Sequence, residues 1–141
     1  MIDFHLDTRS GVSPYLQLVH QVRQALRLGM LSVDDQLPTV KEVVSKLAIN
    51  PNTVLKAYRE LEHEGLVSPR PGVGTFVTRT LTDGSLAAHE SLREELRSWL
   101  DRAQEAGLTT DSIEALLMTT FRTTLRSTEA AHTENVRTPE R

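Results

Sequence analysis

Hydrophobic side chains recur at helical spacing in several stretches of the chain. Leu16, Val19, Val22 and Leu26 follow Pro14 at intervals of three and four. This predicts a first helix with proline in its tolerated first turn and Gly29 past its end. Ser32–Gln36 reads as a loop. Thr39 and Glu42 then make a T-x-x-E capping box. Val40, Val43, Val44 and Leu47 line one face of a short second helix that ends near Leu47. After Ala48-Ile49, Asn50 and Pro51 supply a preferred cap and a preferred first residue for a third helix. Its apolar face is Val54, Ala57, Tyr58 and Leu61, and Gly65 stops it. The opposite face presents Asn52, Thr53, Leu55, Lys56 and Arg59.

The period then changes. Leu66-Val67-Ser68 and Thr75-Phe76-Val77-Thr78 are short β-prone runs, and Pro69–Gly74 between them reads as a hairpin turn. Residues 80–88 read as a linker. Helical spacing returns with Leu92, Leu96, Trp99, Leu100 and Ala103, ending before Gly107. A last helix, capped by Thr110 or Asp111, carries Ile113, Leu116, Leu117, Phe121 and Leu125. Residues 127–141 show no periodicity and read as a disordered tail. The expected fold is mostly α with a small β-hairpin. A domain over 1–79 precedes the linker, and a two-helix segment over 89–126 follows it.

Two short helices joined by a tight turn, the second capped by Asn-Pro, form a helix-turn-helix, and the hairpin after it adds a wing. The first turn of the third helix exposes unpaired N–H groups that favour phosphate. Asn52 and Thr53 lie there, where an amide can pair with adenine and a threonine can meet a base edge. Lys56 and Arg59 follow on the same face and suit phosphate. Lys41 starts the helix that would cross the backbone, and Arg70 sits in the wing between strands whose Gly72 and Gly74 permit close approach. The candidate DNA-contacting set is Thr39, Lys41, Asn50, Asn52, Thr53, Lys56, Arg59, Arg70, Gly72, Gly74 and Thr75.

Charge sharpens this reading once it is resolved along the chain. The 16 Lys+Arg and 19 Asp+Glu give a net −3, which argues on its face against nucleic acid. Residues 1–80 are nevertheless net +1 and residues 38–79 net +2, so the acidity lies mainly in the C-terminal part. The absence of Cys excludes disulfides and thiol chemistry. The five His are scattered without metal-ligand spacing, and no catalytic or phosphate-loop motif occurs. No metal, cofactor, catalytic residue or enzyme activity is expected, nor any membrane association; a cytoplasmic location follows. Only six aromatic residues occur, which speaks against a single-strand stacking platform, and Tyr58 is assigned to the core.

The motifs together resemble the GntR family of bacterial transcription regulators. They run from Leu37-Pro38-Thr39-Val40-Lys41-Glu42 through Ile49-Asn50-Pro51-Asn52-Thr53-Val54 and Ala57-Tyr58-Arg59-Glu60-Leu61 to Gly72-Val73-Gly74-Thr75-Phe76-Val77. Asn-Pro-Asn-Thr-Val followed by Ala-Tyr-Arg-Glu-Leu is similar to the YtrA subfamily, as is Tyr15-Leu16-Gln17-Leu18 earlier in the chain. The resemblance implies a winged helix-turn-helix that binds operator DNA as a dimer. Three positions depart from the family pattern: Lys41 replaces the usual Arg, Ala48 the usual Gly of the turn, and Asp34 a common Gly.

The short two-helix end also resembles that subfamily. A helical pair of roughly 40 residues buries too little surface to be stable alone. Leu92, Leu96, Trp99, Leu100, Ile113, Leu116, Leu117 and Phe121 are therefore the expected homodimer residues. Two copies would set two recognition helices on a pseudo-palindromic operator. The expected function is a sequence-specific double-stranded DNA-binding regulator, a repressor rather than an activator. An unidentified small-molecule effector is left open. The alternative is a winged-helix module that binds protein and not DNA.

Overall fold

The computed structural model describes residues 2–82 and 86–136, and the side chains of residues 2–82 and 88–126. Its elements are α1 (Pro14–Arg27), α2 (Val40–Leu47), α3 (Pro51–His63), β1 (Val67–Arg70), β2 (Gly74–Val77), α4 (Leu86–Glu105) and α5 (Thr110–Val136). They fall into two units, Met1–His89 and Glu90–Arg141.

In the first unit the predicted faces become the core. Leu18, Val19, Val22, Ala25 and Leu26 of α1 pack with Val43 of α2 and with Val54, Ala57, Tyr58 and Leu61 of α3. Leu31, Leu37, Leu66, Val67 and Val77 close it from the connections and the hairpin. Each buried Leu or Val side chain contributes about 1.5–3 kcal/mol, so this apolar set drives the folding of the unit. At the end of α3, Gly65 takes φ +76, Leu66 N–H donates to the Leu61 carbonyl (3.0 Å) and Gly65 N–H to that of Glu62 (2.9 Å). That Schellman closure satisfies carbonyls the helix leaves open and turns the chain into β1. An ion pair between Arg23 and Glu64 ties α1 to the same corner.

The N-terminal segment, which has no periodic pattern, is packed. Phe4 is 3% exposed in the core, with Ile2 and Leu6 against it. Two glutamines one turn apart on α1 hold its backbone. Gln21 donates to the His5 carbonyl (2.7 Å) and accepts from its N–H (3.1 Å). Gln17 does the same for Asp7, at 2.9 and 2.8 Å. Asp3 pairs with Lys46 of α2.

The hairpin is tighter than expected. Val67 pairs with Val77, Ser68 with Phe76, Pro69 with Thr75 and Arg70 with Gly74, which leaves a three-residue loop in place of six. Pro69 is accommodated because β1 is an edge strand, where no ladder N–H is required. The segment read as a loop at residues 32–36 lies along the other side of β2. Gln36 bridges Phe76, Leu37 N–H donates to the Thr75 carbonyl (2.8 Å) and Val77 N–H to that of Asp35 (2.9 Å). The first linker residues are also held, since the Thr82 hydroxyl donates to the Leu26 carbonyl at 2.9 Å. Residues 83–85 of the expected linker lie outside the described residues.

In the second unit α4 and α5 flank Gly107. Thr109 caps α5, one residue earlier than expected, its hydroxyl accepting from Ser112 N–H at 3.2 Å. The expected tail is corrected over residues 127–136, where α5 continues as helix to Val136. Apolar periodicity reports a buried face and not helix formation itself. This stretch holds no Gly or Pro, and the next proline along the chain is Pro139. Residues 137–141 of the tail lie outside the described residues.

Candidate nucleic-acid interface

The site is built on α3, whose apolar face is fixed in the core. Its N-cap is Asn50, in extended conformation, with Oδ1 accepting from Asn52 N–H at 2.8 Å. Pro51 takes the next position, so Asn52 and Thr53 open the helix. The Asn52 side chain is exposed and Thr53 is half-buried. Spacings of four and three put Lys56 and Arg59 on the same outward face, opposite Val54, Ala57, Tyr58 and Leu61. The arrangement offers a helix N-terminus, an amide and a hydroxyl, then two cations along one side.

α2 is set against α3 by two local devices. Thr39 caps α2: its hydroxyl oxygen accepts from Glu42 N–H and its O–H donates to the Glu42 carboxylate, both at 3.1 Å. Glu42 thus reaches back to the cap as the box predicts, through the threonine hydroxyl. Further along, the Tyr58 hydroxyl donates to the buried Pro38 carbonyl, which joins the middle of α3 to the entry of α2. Burial, and secondly the Glu42 carboxylate, push the Tyr58 phenol well above its ordinary value. The turn between the helices passes through Ala48 in the left-handed region, at φ 53, ψ 44. Lys41 is exposed in the first turn of α2.

The wing brings Arg70, Gly72, Gly74 and Thr75 to the end of the hairpin. Gly72 has φ +74 in the loop. Gly74 has φ +145, and a Cβ there would run into the Gln36 amide. That amide donates to the Val73 carbonyl at 3.1 Å and braces the wing tip. Thr75 is half-buried in β2.

Two of the cations expected to meet DNA have partners within the chain. Lys56 Nζ lies 3.9 Å from the centroid of the Tyr15 ring, a contact that orients the ammonium while leaving it charged. Arg70 Nη2 lies 3.1 Å from Asp34 Oδ1, with the guanidinium carbon 4.1 Å from the Phe76 ring centroid. Arg59 and Lys41 have no ion-pair partner among the described residues. The side-chain oxygens of Thr39 and Asn50 serve as helix caps. Sequence reasoning missed Tyr15, Gln36 and Asp34 as neighbours of this face. For Asp34 a signal existed: it replaces a common Gly, and its φ of 74 is the conformation glycine adopts most easily.

A profile described as bacterial regulatory proteins, gntR family, matches residues 14–77. The chain is 34% identical over 107 residues to the HTH-type transcriptional repressor YtrA of Bacillus subtilis, covering 73% of this chain and 80% of that protein. The chain belongs to the GntR family. It is 39% identical over 84 residues to the HTH-type transcriptional regulator Rv1152 of Mycobacterium tuberculosis, covering 59% of this chain and 69% of the relative. Among solved structures, a Listeria monocytogenes protein described as a transcriptional antiterminator superposes with a TM-score of 0.51 at 28% identity, over 82% of this chain and 87% of that one. The GntR chain is thus a DNA-binding transcriptional regulator with a winged helix-turn-helix, in a family of regulators and not of enzymes. No helix among the described residues is long and apolar enough to cross a membrane.

Proposed function

We propose that the chain is a repressor that binds double-stranded operator DNA as a homodimer. Each copy lays α3 in a major groove, where Asn52 and Thr53 read base edges, with Lys41, Lys56 and Arg59 on the flanking phosphates. The wing, through Arg70 and the backbone at Gly72 and Gly74, follows the adjoining groove. The observation that carries this is the outward face of α3: a capped helix start and exposed polar and basic side chains on an element whose other face is locked in the core. The name of the Bacillus relative supports repression as the sign of regulation.

The second unit supports the homodimer. Its buried apolar side chains include Ala103 and Ile113, the latter 8% exposed and so already covered by its own chain. Leu92, Leu96, Leu116 and Phe121 stay exposed, at 62%, 46%, 45% and 59%. Leu96, Trp99, Leu117 and Phe121 line a groove of about 540 Å³ between α4 and α5. A stripe of this kind is stabilised when a second copy covers it.

Selection of bound duplexes from a random DNA pool, with a footprint on the promoter of the protein's own gene, tests the reading. The expected product is an inverted repeat bound by two chains. If a dimer neutralises 6–10 phosphates, log K falls with log salt at a slope of about −5 to −9. A slope near zero, or sedimentation at the monomer mass at binding concentrations, overturns it.

A further inference from the structure

We propose that Asp34 restrains the wing: its carboxylate competes with DNA for the Arg70 guanidinium and so sets how tightly the wing holds DNA. The proposal rests on the reading of Arg70 as a wing contact.

The pair is anchored on one side only. Asp34 is fixed by its backbone, with its N–H donating to the Val77 carbonyl at 2.9 Å. On its other flank, the Asp35 carboxylate accepts from Ser32 N–H at 2.8 Å. At φ 74, Asp34 occupies the left-handed region, which burdens a residue carrying a Cβ and which Asp and Asn tolerate better than most. Arg70, at the last β1 position before the loop, instead reaches Asp34 with a flexible side chain. Its guanidinium carbon lies over the Phe76 ring, 4.1 Å from the centroid, with Nη2 at 3.1 Å from Asp34 Oδ1. The Arg70 and Asp34 side chains are 52% and 77% exposed, so the pair is open to solvent and to an incoming strand.

A carboxylate and a phosphate use the same donors of an arginine fork. In the free protein Arg70 is therefore already partnered by the group that phosphate must displace. Asp34 also brings a negative charge to the edge of the DNA face. An exposed pair of this kind is weak, which suits a restraint that DNA can break. Among the described residues no carboxylate pairs with Lys41, Lys56 or Arg59, so the competition acts on the wing and not on α3.

A double-mutant cycle in the full-length chain tests this. Asp34→Asn removes the charge and keeps a residue that accepts the left-handed backbone. Asp34→Gly is a second variant that relieves the backbone altogether. Arg70→Gln removes the partner. Affinity is measured on a duplex selected by the parent protein from a random pool and on a scrambled duplex of equal length. Both Asp34 variants are expected to bind about two- to fivefold more tightly per wing at low salt, with the gain shrinking as salt rises. In the Arg70→Gln background the gain should vanish. A gain of equal size in that background would show a general effect of charge and overturn the proposal. Unchanged or weaker binding by both Asp34 variants would overturn it too. A parent protein that selects no duplex would remove the DNA reading itself, and that result is seen before any variant is compared.

Discussion

Tyr58→Phe isolates a single hydrogen bond that holds the two helices of the helix-turn-helix together. The ring stays, so the packing of α3 against the core is kept. What is lost is the hydroxyl that donates to the Pro38 carbonyl, one residue before the cap of α2. Pro38 is buried, and the carbonyl is left without that donor. A buried acceptor stripped of its donor costs about 1–3 kcal/mol. In a small domain, each kcal/mol corresponds to about 4–8 °C in Tm. The assay is urea unfolding followed by far-UV circular dichroism, at one fixed protein concentration because association would add to stability.

The same hydroxyl has an alkaline signature. The folded phenol is held in its neutral form by burial and by the Glu42 carboxylate, whereas in the unfolded chain it ionises near its ordinary value of about 10. A raised folded pKa contributes stability that is complete below about pH 10. Above that, the unfolded state gives up the proton first, and stability falls by up to about 1.4 kcal/mol per pH unit. Tyr58→Phe lacks this term, so the gap between parent and variant should be flat below about pH 10 and narrow above it. A gap under about 0.5 kcal/mol at neutral pH would refute the assignment of this bond as the clasp between α2 and α3, and one that stays constant into the alkaline range would refute the buried neutral phenol.

Ala48→Gly should stabilise the first unit by about 0.5–1 kcal/mol, read from the urea midpoint, because φ 53 at the turn strains a residue with a Cβ. Phe4→Ala should cost about 3–5 kcal/mol, a core-sized loss from a residue four positions into the chain, since the side chain is 3% exposed. Asn52→Ala should relax base preference at one position by about 1–3 kcal/mol, whereas Lys56→Ala should weaken binding evenly across sequences and lower the salt slope by about 1. Competition binding with a panel of single-base variants separates the last two.

The parts of this molecule that were legible in the sequence are those encoded locally. The faces of α1, α2 and α3, the Thr39 and Asn50 caps and the Gly65 stop each depend on residues within a turn or two of one another, and periodicity and cap chemistry report such features directly. The parts that were not legible depend on pairs far apart in the chain. Nothing near Phe4 signals that Gln17 and Gln21 will clamp the segment around it, because a polar side chain on a helix carries no mark of whether its amide meets water or backbone. Gln36 looks like a loop residue until β2 lies beside it. The cations proposed to meet DNA show the same division. Their places on α3 and the wing follow from spacing, but their state does not: Lys56 lies against Tyr15, Arg70 against Asp34 and Phe76, and Arg59 extends outward. A count of basic residues treats these as equal. Folding has made them unequal, with one cation oriented by a ring, one held by a carboxylate and one unpaired among the described residues. In the proposed complex, the contribution of each to DNA affinity is therefore set by what DNA must displace to reach it as much as by its charge.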